Sequence, residues 1–282
     1  MSGCLVLVAT PIGNLGDLSP RAVETLATAD IICCEDTRYT RRLLTHAGIS
    51  GPRLVAVHEH NEAASAARVV GWLQEGRTVA VVSDAGTPVI SDPGRRLVRA
   101  AVEAGAVVTA VPGPSAGLAA LVMSGLPADR WCFEGFLPAK GGERGRRLAA
   151  LAAEERTTVL YEAPHRIRRT VADLAGALGD DRDVVLAREL TKLHETVWRG
   201  TLAEAIGFLA GDEPRGEYVI VLGGAAAVVA TDVDASAIAA ALAARFEAGE
   251  DRRLAITAVA RQFGVPRREV YEVVIGRGRV DG

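Results

Sequence analysis

Short apolar runs alternate with segments of helical period along the first half of the chain. The runs fall at residues 5–9, 31–34, 54–57, 79–82 and 107–111, each bounded by Gly, Pro, Asp or Ser, the pattern of buried strands. Strands interleaved with helices predict an α/β fold with a largely parallel sheet. Helix starts are signalled by Ser19-Pro20, an N-cap followed by Pro at the first helical position, and by Asn61, expected to cap a helix through Leu73. Asp92-Pro93 reads as a repeat of the Ser19-Pro20 device, and Gly48, Gly76 and Gly105 are placed to end three helices.

Beyond Pro127 the rhythm changes. Strand-like runs at 131–134, 158–161, 184–187 and 218–222 are separated by longer, more charged segments, which places a boundary near residues 124–127. The expected organisation is an N-terminal α/β domain over 1–124, a second α/β domain over 125–223, a small-residue linker over 224–233 and a helical extension over 234–282. In that extension Ile256, Val259, Ala260 and Phe263 form a helical stripe, Gly264-Val265 gives a turn, and 267–275 reads as a second helix carrying Val270 and Val274. This is a helix-turn-helix-like layout, although a helical hairpin that touches no nucleic acid needs the same apolar spacing.

Composition narrows the function classes. Of the 282 residues only 4% are aromatic against 49% hydrophobic, so the core must be aliphatic and broad aromatic platforms for stacking bases are not expected. The net charge of −3 argues against a surface coated in positive potential, so any polyanion site must be local. Two local patches exist. Lys140, Arg144, Arg146 and Arg147 stand against Glu143 for a net +3 between residues 137 and 150, and from Asp251 onward seven Arg against four carboxylates give the same excess. The first patch reads as a Gly-flanked loop, expected to be mobile and to order when its polyanion binds. Cys4, Cys33, Cys34 and Cys132 lie in apolar runs without metal-ligand spacing, so neither a disulfide framework nor a metal site is expected. With no signal peptide pattern and no bilayer-length apolar run, the expectation is a soluble cytoplasmic protein.

In an open α/β sheet, ligands collect outside the carboxyl ends of the strands. Three segments following strands are unusual: TPIGNLGD (10–17), SDAGTPVISDPG (83–94) and PGPSAG (112–117). Each combines Gly and Pro with small hydroxyl or amide residues, which fixes the backbone while leaving its polar groups open to a ligand. None matches a Rossmann fingerprint or a P-loop. A cofactor held by backbone groups and one carboxylate, Asp84, fits better.

These segments, together with EDTRYT (35–40), HEHNE (58–62), FEGFLPAKG (133–141), YEAPHR (161–166), ARELTKLHE (187–195) and GEYVIV (216–221), closely resemble the tetrapyrrole-methylase superfamily, in the branch that methylates small-subunit ribosomal RNA. Relatives acting on porphyrins or corrins carry a G-D-P loop where this chain has Gly86-Thr87-Pro88, and they lack the EDTR, HEHN and ELTK segments.

The resemblance implies two α/β domains with S-adenosylmethionine in the cleft between them. It also implies 2′-O-ribose methylation of a decoding-centre cytidine of 16S ribosomal RNA in the small subunit, and a homodimer. Carried over by motif, the cofactor contacts are Gly86, Thr87, Pro88, Ser115, Ala116, Tyr161, Glu162 and Leu190, bordered by Thr10, Pro11 and Gly13, with Asp84 added on its chemistry. Candidates for a base or for orienting the hydroxyl are Lys192 and Glu189, then Asp36, with Glu35, Glu195, His58 and His60 behind them. Glu189 and Lys192 also suit a plain ion pair, and the histidines a helix cap. Arg38, Lys140, Arg144, Arg146, Arg147, His165 and Arg166 are the expected RNA contacts, because phosphate binding needs clustered cations. Methylation of a tetrapyrrole or a protein side chain, and a DNA-binding regulator using the C-terminal helices, stand as alternatives.

Overall fold

Five short aliphatic strands, β1 (Cys4–Val8), β2 (Ile31–Cys34), β3 (Arg53–Ala56), β4 (Thr78–Val81) and β5 (Val107–Val111), pair all-parallel in the order β3-β2-β4-β1-β5. Alternate residues face opposite layers. Leu5, Ile31, Cys33, Val79 and Val81 meet helices α3 (Glu62–Gln74) and α4 (Arg95–Glu103), while Val6, Val8, Ile32 and Ala80 meet α1 (Pro20–Thr28) and α2 (Thr37–His46). The computed structural model describes residues 3–58, 60–211, 213–225 and 235–263, with 265, 270 and 271.

A second, mixed sheet follows: β6 (Trp131–Phe136), β7 (Thr157–Glu162), β8 (Asp183–Arg188), β9 (Thr196–Thr201) and β10 (Tyr218–Leu222), in the order β6-β7-β10-β8-β9. Only β6 and β7 run parallel. One face packs on α6 (Gly141–Ala152), α7 (Pro164–Leu178) and α8 (Leu202–Leu209) through Leu160, Leu186 and Ile220. The other face, through Val159, Val185, Ala187, Val219 and Val221, receives Ala120 and Leu121 of α5 (Ala116–Ser124). That helix follows the last strand of the first sheet yet packs on the second, so both sheets belong to one unit, Met1–Ala225. Helix α5 is apolar all round, burying Gly117, Ala120 and Leu121 while Leu118 and Val122 stay exposed.

The remaining unit, Ala226–Gly282, contains α9 (Ala235–Glu247) and α10 (Arg252–Phe263). Ile256, Val259 and Ala260 do form the expected buried stripe, packed against Ile238 and Leu242. Most of the expected linker, and most of the helix expected over 267–275, lie outside the described residues.

Ser19 caps α1 through a bond from Ala22 N, and Gly48, Gly76 and Gly105 take the positive φ expected at helix ends. Three expectations change. Strand β9 was not anticipated, because TVWRGT alternates only partly buried side chains. Asn61 stands at the N-cap of α3, but its side chain turns back to His58 N and Ala56 O. Asp92-Pro93 does not open α4, which begins at Arg95 with Gly94 at its N-cap. The buried Glu62 carboxylate serves that helix start instead, accepting from Gly94 N and Arg96 N at 2.8 Å each. A negative carboxylate at a helix N-terminus satisfies orphan donors and complements the dipole. Replacing it by Ala strands two donors, so Glu62→Ala is expected to lower stability by about 2–3 kcal/mol. In urea unfolding this appears as a lower midpoint at unchanged slope.

Candidate functional site

Strands β1 and β4 are neighbours, but the chain leaving β1 travels to β2 on one side and the chain leaving β4 travels to β5 on the other. Their carboxyl ends therefore splay around a switch point, where α/β sheets bind ligands. The two loops are tied across it. Thr10 N donates to Gly86 O at 2.9 Å and Gly86 N to Thr10 O at 3.1 Å, an isolated antiparallel bridge, and buried Thr10 Oγ1 donates to Ser83 O. Gly86 takes φ +85° there, a backbone that strains any side chain, and a Cβ would also press on Ile12 Cγ2 at 3.3 Å.

The switch point opens on a cavity of about 570 Å³. The first sheet contributes Asp84, Gly86, Thr87, Ser115 and Ala116, and the second contributes Tyr161, Glu162, Leu190 and Lys192. Eight of the expected cofactor positions thus share one wall. Pro88 is buried behind the loop, and Thr10, Pro11 and Gly13 line a neighbouring recess of about 290 Å³, with Asp84 lining both spaces. Sequence reasoning missed Ile90, Asp92, Phe136, Glu217 and Tyr218 in the larger cavity. Asp92 sat inside an already flagged segment, but its pairing with Pro93 mimicked a helix cap.

Polar groups here are fixed by specific bonds. Tyr161 Oη accepts from Gly117 N at 3.2 Å, and Phe133 and Phe136 pack edge-on against its ring. Glu162 is engaged, accepting from Ala163 N, Thr170 Oγ1 and Arg166, so it anchors the start of α7. Asp84 accepts from Asp36 N at 3.1 Å, and burial raises its pKa. Asp92 is pushed up to about 6 by burial and then by the charge of Glu35. Glu35 is itself raised by burial. All four non-glycine residues with positive φ among the described residues, Val89, Ser91, Glu189 and Thr191, lie in the two loops that border the cavity. Such conformations persist only where surrounding structure holds them, and they concentrate at working sites.

The expected bases fare differently. Lys192 Nζ lies 2.9 Å from both Glu189 Oε1 and Glu217 Oε2. Burial alone would lower its pKa, but these bonds outweigh it and raise the pKa, so Lys192 stands as an ammonium donor and not a base. Glu189 is correspondingly lowered: burial opposes, but the bonds from Lys192 and Glu217 N prevail. Asp36 caps α2, and its side chain is bonded by Arg38, which holds it at about 2, too weak a base to collect a proton near neutrality. Its contribution is the backbone N–H on Asp84. Glu195 accepts from Thr191 N, and His58 and His60 line neither cavity. The ELTK segment touches the first loop directly, with Asn14 N donating to Thr191 Oγ1 at 3.1 Å. Gly13 makes that approach possible, since a Cβ there would collide with the Lys192 stem.

The expected RNA cations divide. The stretch expected to be a mobile loop is the start of helix α6. Arg144 points inward, only 4% exposed, donating to Asp173, Thr170 and Pro138 O, so it is a structural residue. Its spacing from Arg147 places the two on one helix face only loosely, and the chain uses Arg144 to tie α6 to α7. Arg166 is likewise drawn inward by Glu162 and Leu137 O. Arg147 pairs with Glu134 and Arg38 with Asp36, both at exposed positions. Lys140 and Arg146 are exposed with no ion pair among the described residues, and His165 lines the cavity mouth. Cys33 and Cys34 are buried, Cys4 and Cys132 half-buried, and the described residues hold no cluster arranged to bind a metal. No helix of the described residues is long and apolar enough to cross a membrane.

Comparison with known proteins gives one consistent result. The model of the family Tetrapyrrole (Corrin/Porphyrin) Methylases matches residues 4–206. Three similar proteins are each named Ribosomal RNA small subunit methyltransferase I. The one from Synechocystis sp. is 46% identical over 96% of this chain and 97% of its own. That of Mesorhizobium japonicum is 44% identical over 99% and 95%, and that of Xylella fastidiosa strain Temecula1 is 58% identical over 79% and 82%. Among solved structures, the methyltransferase CobJ superposes with TM-score 0.59 at 23% identity, covering 80% of this chain and 95% of its own. A uroporphyrin-III-C-methyltransferase from Thermus thermophilus gives 0.55 at 22%, covering 78% and 94%. At these identities the two structures speak for the fold.

The division of the cations is directly measurable. Arg144→Ala is expected to cost about 2–3 kcal/mol of stability by stranding its charged hydrogen-bond partners. Arg146→Ala should stay within about 0.5 kcal/mol, as exposed substitutions do. Paired thermal and denaturant unfolding of the two variants checks this.

Proposed function

The chain belongs to the ribosomal RNA small subunit methyltransferase I group of the tetrapyrrole methylase family and is a methyltransferase, and from that premise we propose that it transfers a methyl group from S-adenosylmethionine to a ribose 2′-hydroxyl of 16S ribosomal RNA. The acceptor in this reading is a decoding-centre cytidine within the small ribosomal subunit. The observation that carries it is the cavity at the switch point, lined by Gly86 and Thr87 and by Leu190 and Lys192 of the ELTK segment, two of the features that separate this group from porphyrin and corrin methylases.

The residues present fit the donor. Its sulfur and amino group are cationic, and the cavity lining brings Asp84 and Asp92 beside Lys192, whose ammonium Glu189 and Glu217 already neutralise. Backbone at Gly86 and Thr87, and the α5 start at Ser115-Ala116, offers close approach without side-chain bulk. S-adenosylmethionine, when bound, supplies an electrophilic methyl group on sulfur. The chain's task is then alignment, for which well-oriented pairs gain about 7–11 kcal/mol. Leu190 and Tyr161 shape the wall, Lys192 is positioned to donate to an oxygen at the mouth, and Asp84 lines both the cavity and the neighbouring recess. With its pKa raised, Asp84 is the carboxylate best placed to take the hydroxyl proton, a role generally worth about 10²–10⁴-fold.

A homodimer belongs to the same reading. Val102, Val107, Leu118 and Val122 leave apolar surface exposed on α4, the edge strand β5 and α5. So does cytoplasmic residence, where ribosomal subunits are found.

The deciding experiment is mass mapping of ribose methylation on small-subunit RNA treated with the purified chain and labelled donor. One new 2′-O-methyl group at a decoding-centre cytidine is expected, and an unchanged map sinks the proposal. Asp92 adds a pH test. A carboxyl with a pKa of about 6 is ionised at neutral pH and neutral below it, so it attracts a cationic donor only above that value. Donor affinity measured calorimetrically should weaken about tenfold from near neutrality to a unit below that pKa, about 1.4 kcal/mol. Asp92→Asn should start weak and flatten the dependence.

A further inference from the structure

The recess beside the donor cavity is separate from it and differently lined. It has a volume of about 290 Å³, at the low end for small-molecule sites and suited to one nucleoside. Its mouth carries two large apolar side chains, Leu15 at 44% and Tyr39 at 55% exposure. Tyr39, Arg42 and Leu43 fall at i, i+3 and i+4 of α2, one face of the helix, with Leu43 buried as floor and Arg42 exposed. At the inner end stand Thr10 and Asp84.

Each feature has a cost that packing does not explain. An aromatic ring left more than half exposed in a chain with only 4% aromatics is poor use of apolar surface unless something covers it. Enzymes that modify a nucleotide commonly hold its base between aromatic and apolar side chains, and unpaired RNA bases are recognised by stacking. Asp84 lines both the recess and the donor cavity, so a base lodged in the recess keeps its own ribose close to the transferred methyl.

We propose that the slot between Leu15 and Tyr39 receives the base of the nucleotide whose ribose is methylated, an unpaired base stacked on the Tyr39 ring, with Arg42 meeting an adjacent phosphate. This rests on the RNA-methylating reading above. No bond changes in this step; it positions the acceptor, and Tyr39 is a specificity residue.

The test uses the full chain, intact small ribosomal subunits and labelled S-adenosylmethionine, comparing wild type with Tyr39→Ala and Tyr39→Phe. Stacking on one aromatic is worth about 1–3 kcal/mol, so Tyr39→Ala should lower kcat/KM for the subunit about 10- to 100-fold. Tyr39→Phe, which keeps the ring, should remain near wild type, and donor Kd by calorimetry should not move in either. Activity of Tyr39→Ala within twofold of wild type overturns the inference while leaving the function intact. Equal losses in both variants, or a weakened donor Kd, also overturn it, since the hydroxyl or the donor would then be what Tyr39 serves. No transfer by the wild-type chain overturns the function and this inference with it.

Discussion

Two backbone hydrogen bonds between Thr10 and Gly86 hold together loops that the sheet topology drives apart, and the site is built around that pair. The chain leaves β1 and β4 in opposite directions, so nothing in the strand pairing itself keeps their following loops in register. The bridge does so, with the Thr10 hydroxyl adding a third bond to Ser83 O. Four residues on, the same first loop reaches the second sheet. Ile12 packs with Leu190 and Val219, and Asn14 N meets Thr191. One loop thereby sets the floor between two cavities and the spacing across the larger one. That explains why small residues recur in it: Gly13 is a contact surface for Lys192, and Gly86 a left-handed corner.

Much of this was legible before any coordinates. Aliphatic runs with sharp Gly and Pro boundaries located the strands of the first sheet, most clearly β1, β2 and β4, because a strand buried on both faces must be continuously apolar. The three loops after β1, β4 and β5 were recognisable as ligand-facing because they join backbone-shaping residues to small polar ones. Strand β9 escaped because an edge strand with half-exposed residues lacks both signals. Arg144 escaped for a different reason. In a Gly-flanked basic stretch the sign of the charge is visible but its direction is not, and only the partners on α7, Thr170 and Asp173, turn it inward.

Asp92 illustrates the same limit at the site itself. An Asp before a Pro is ordinarily a helix cap, and local chemistry alone favours that reading. The cap duty was taken by Glu62, thirty-odd residues earlier in sequence, whose carboxylate accepts from Gly94 and Arg96. Released from capping, Asp92 lines the cavity with a raised pKa. Long-range substitution of one carboxylate for another leaves no trace in a local pattern. The left-handed Val89, Ser91, Glu189 and Thr191 are equally invisible, since β-branched and carboxylate residues are the ones a sequence reading would not place at positive φ.

The charge distribution resolves an apparent conflict between a net charge of −3 and a polyanionic substrate. Asp84 and Asp92 line the cavity half-buried and face a space that suits a cation, with Glu217 exposed at its rim. The free cations, Lys140 and Arg146 on one side and Arg42 by the recess on another, are exposed. Screening at physiological salt extends over about 8 Å, so a phosphate at the surface responds chiefly to the arginines nearest it. Net charge is therefore the wrong measure here. A protein that must bind a cationic donor within and an anionic acceptor outside needs the two signs separated by depth, and an overall balance near zero follows from serving both.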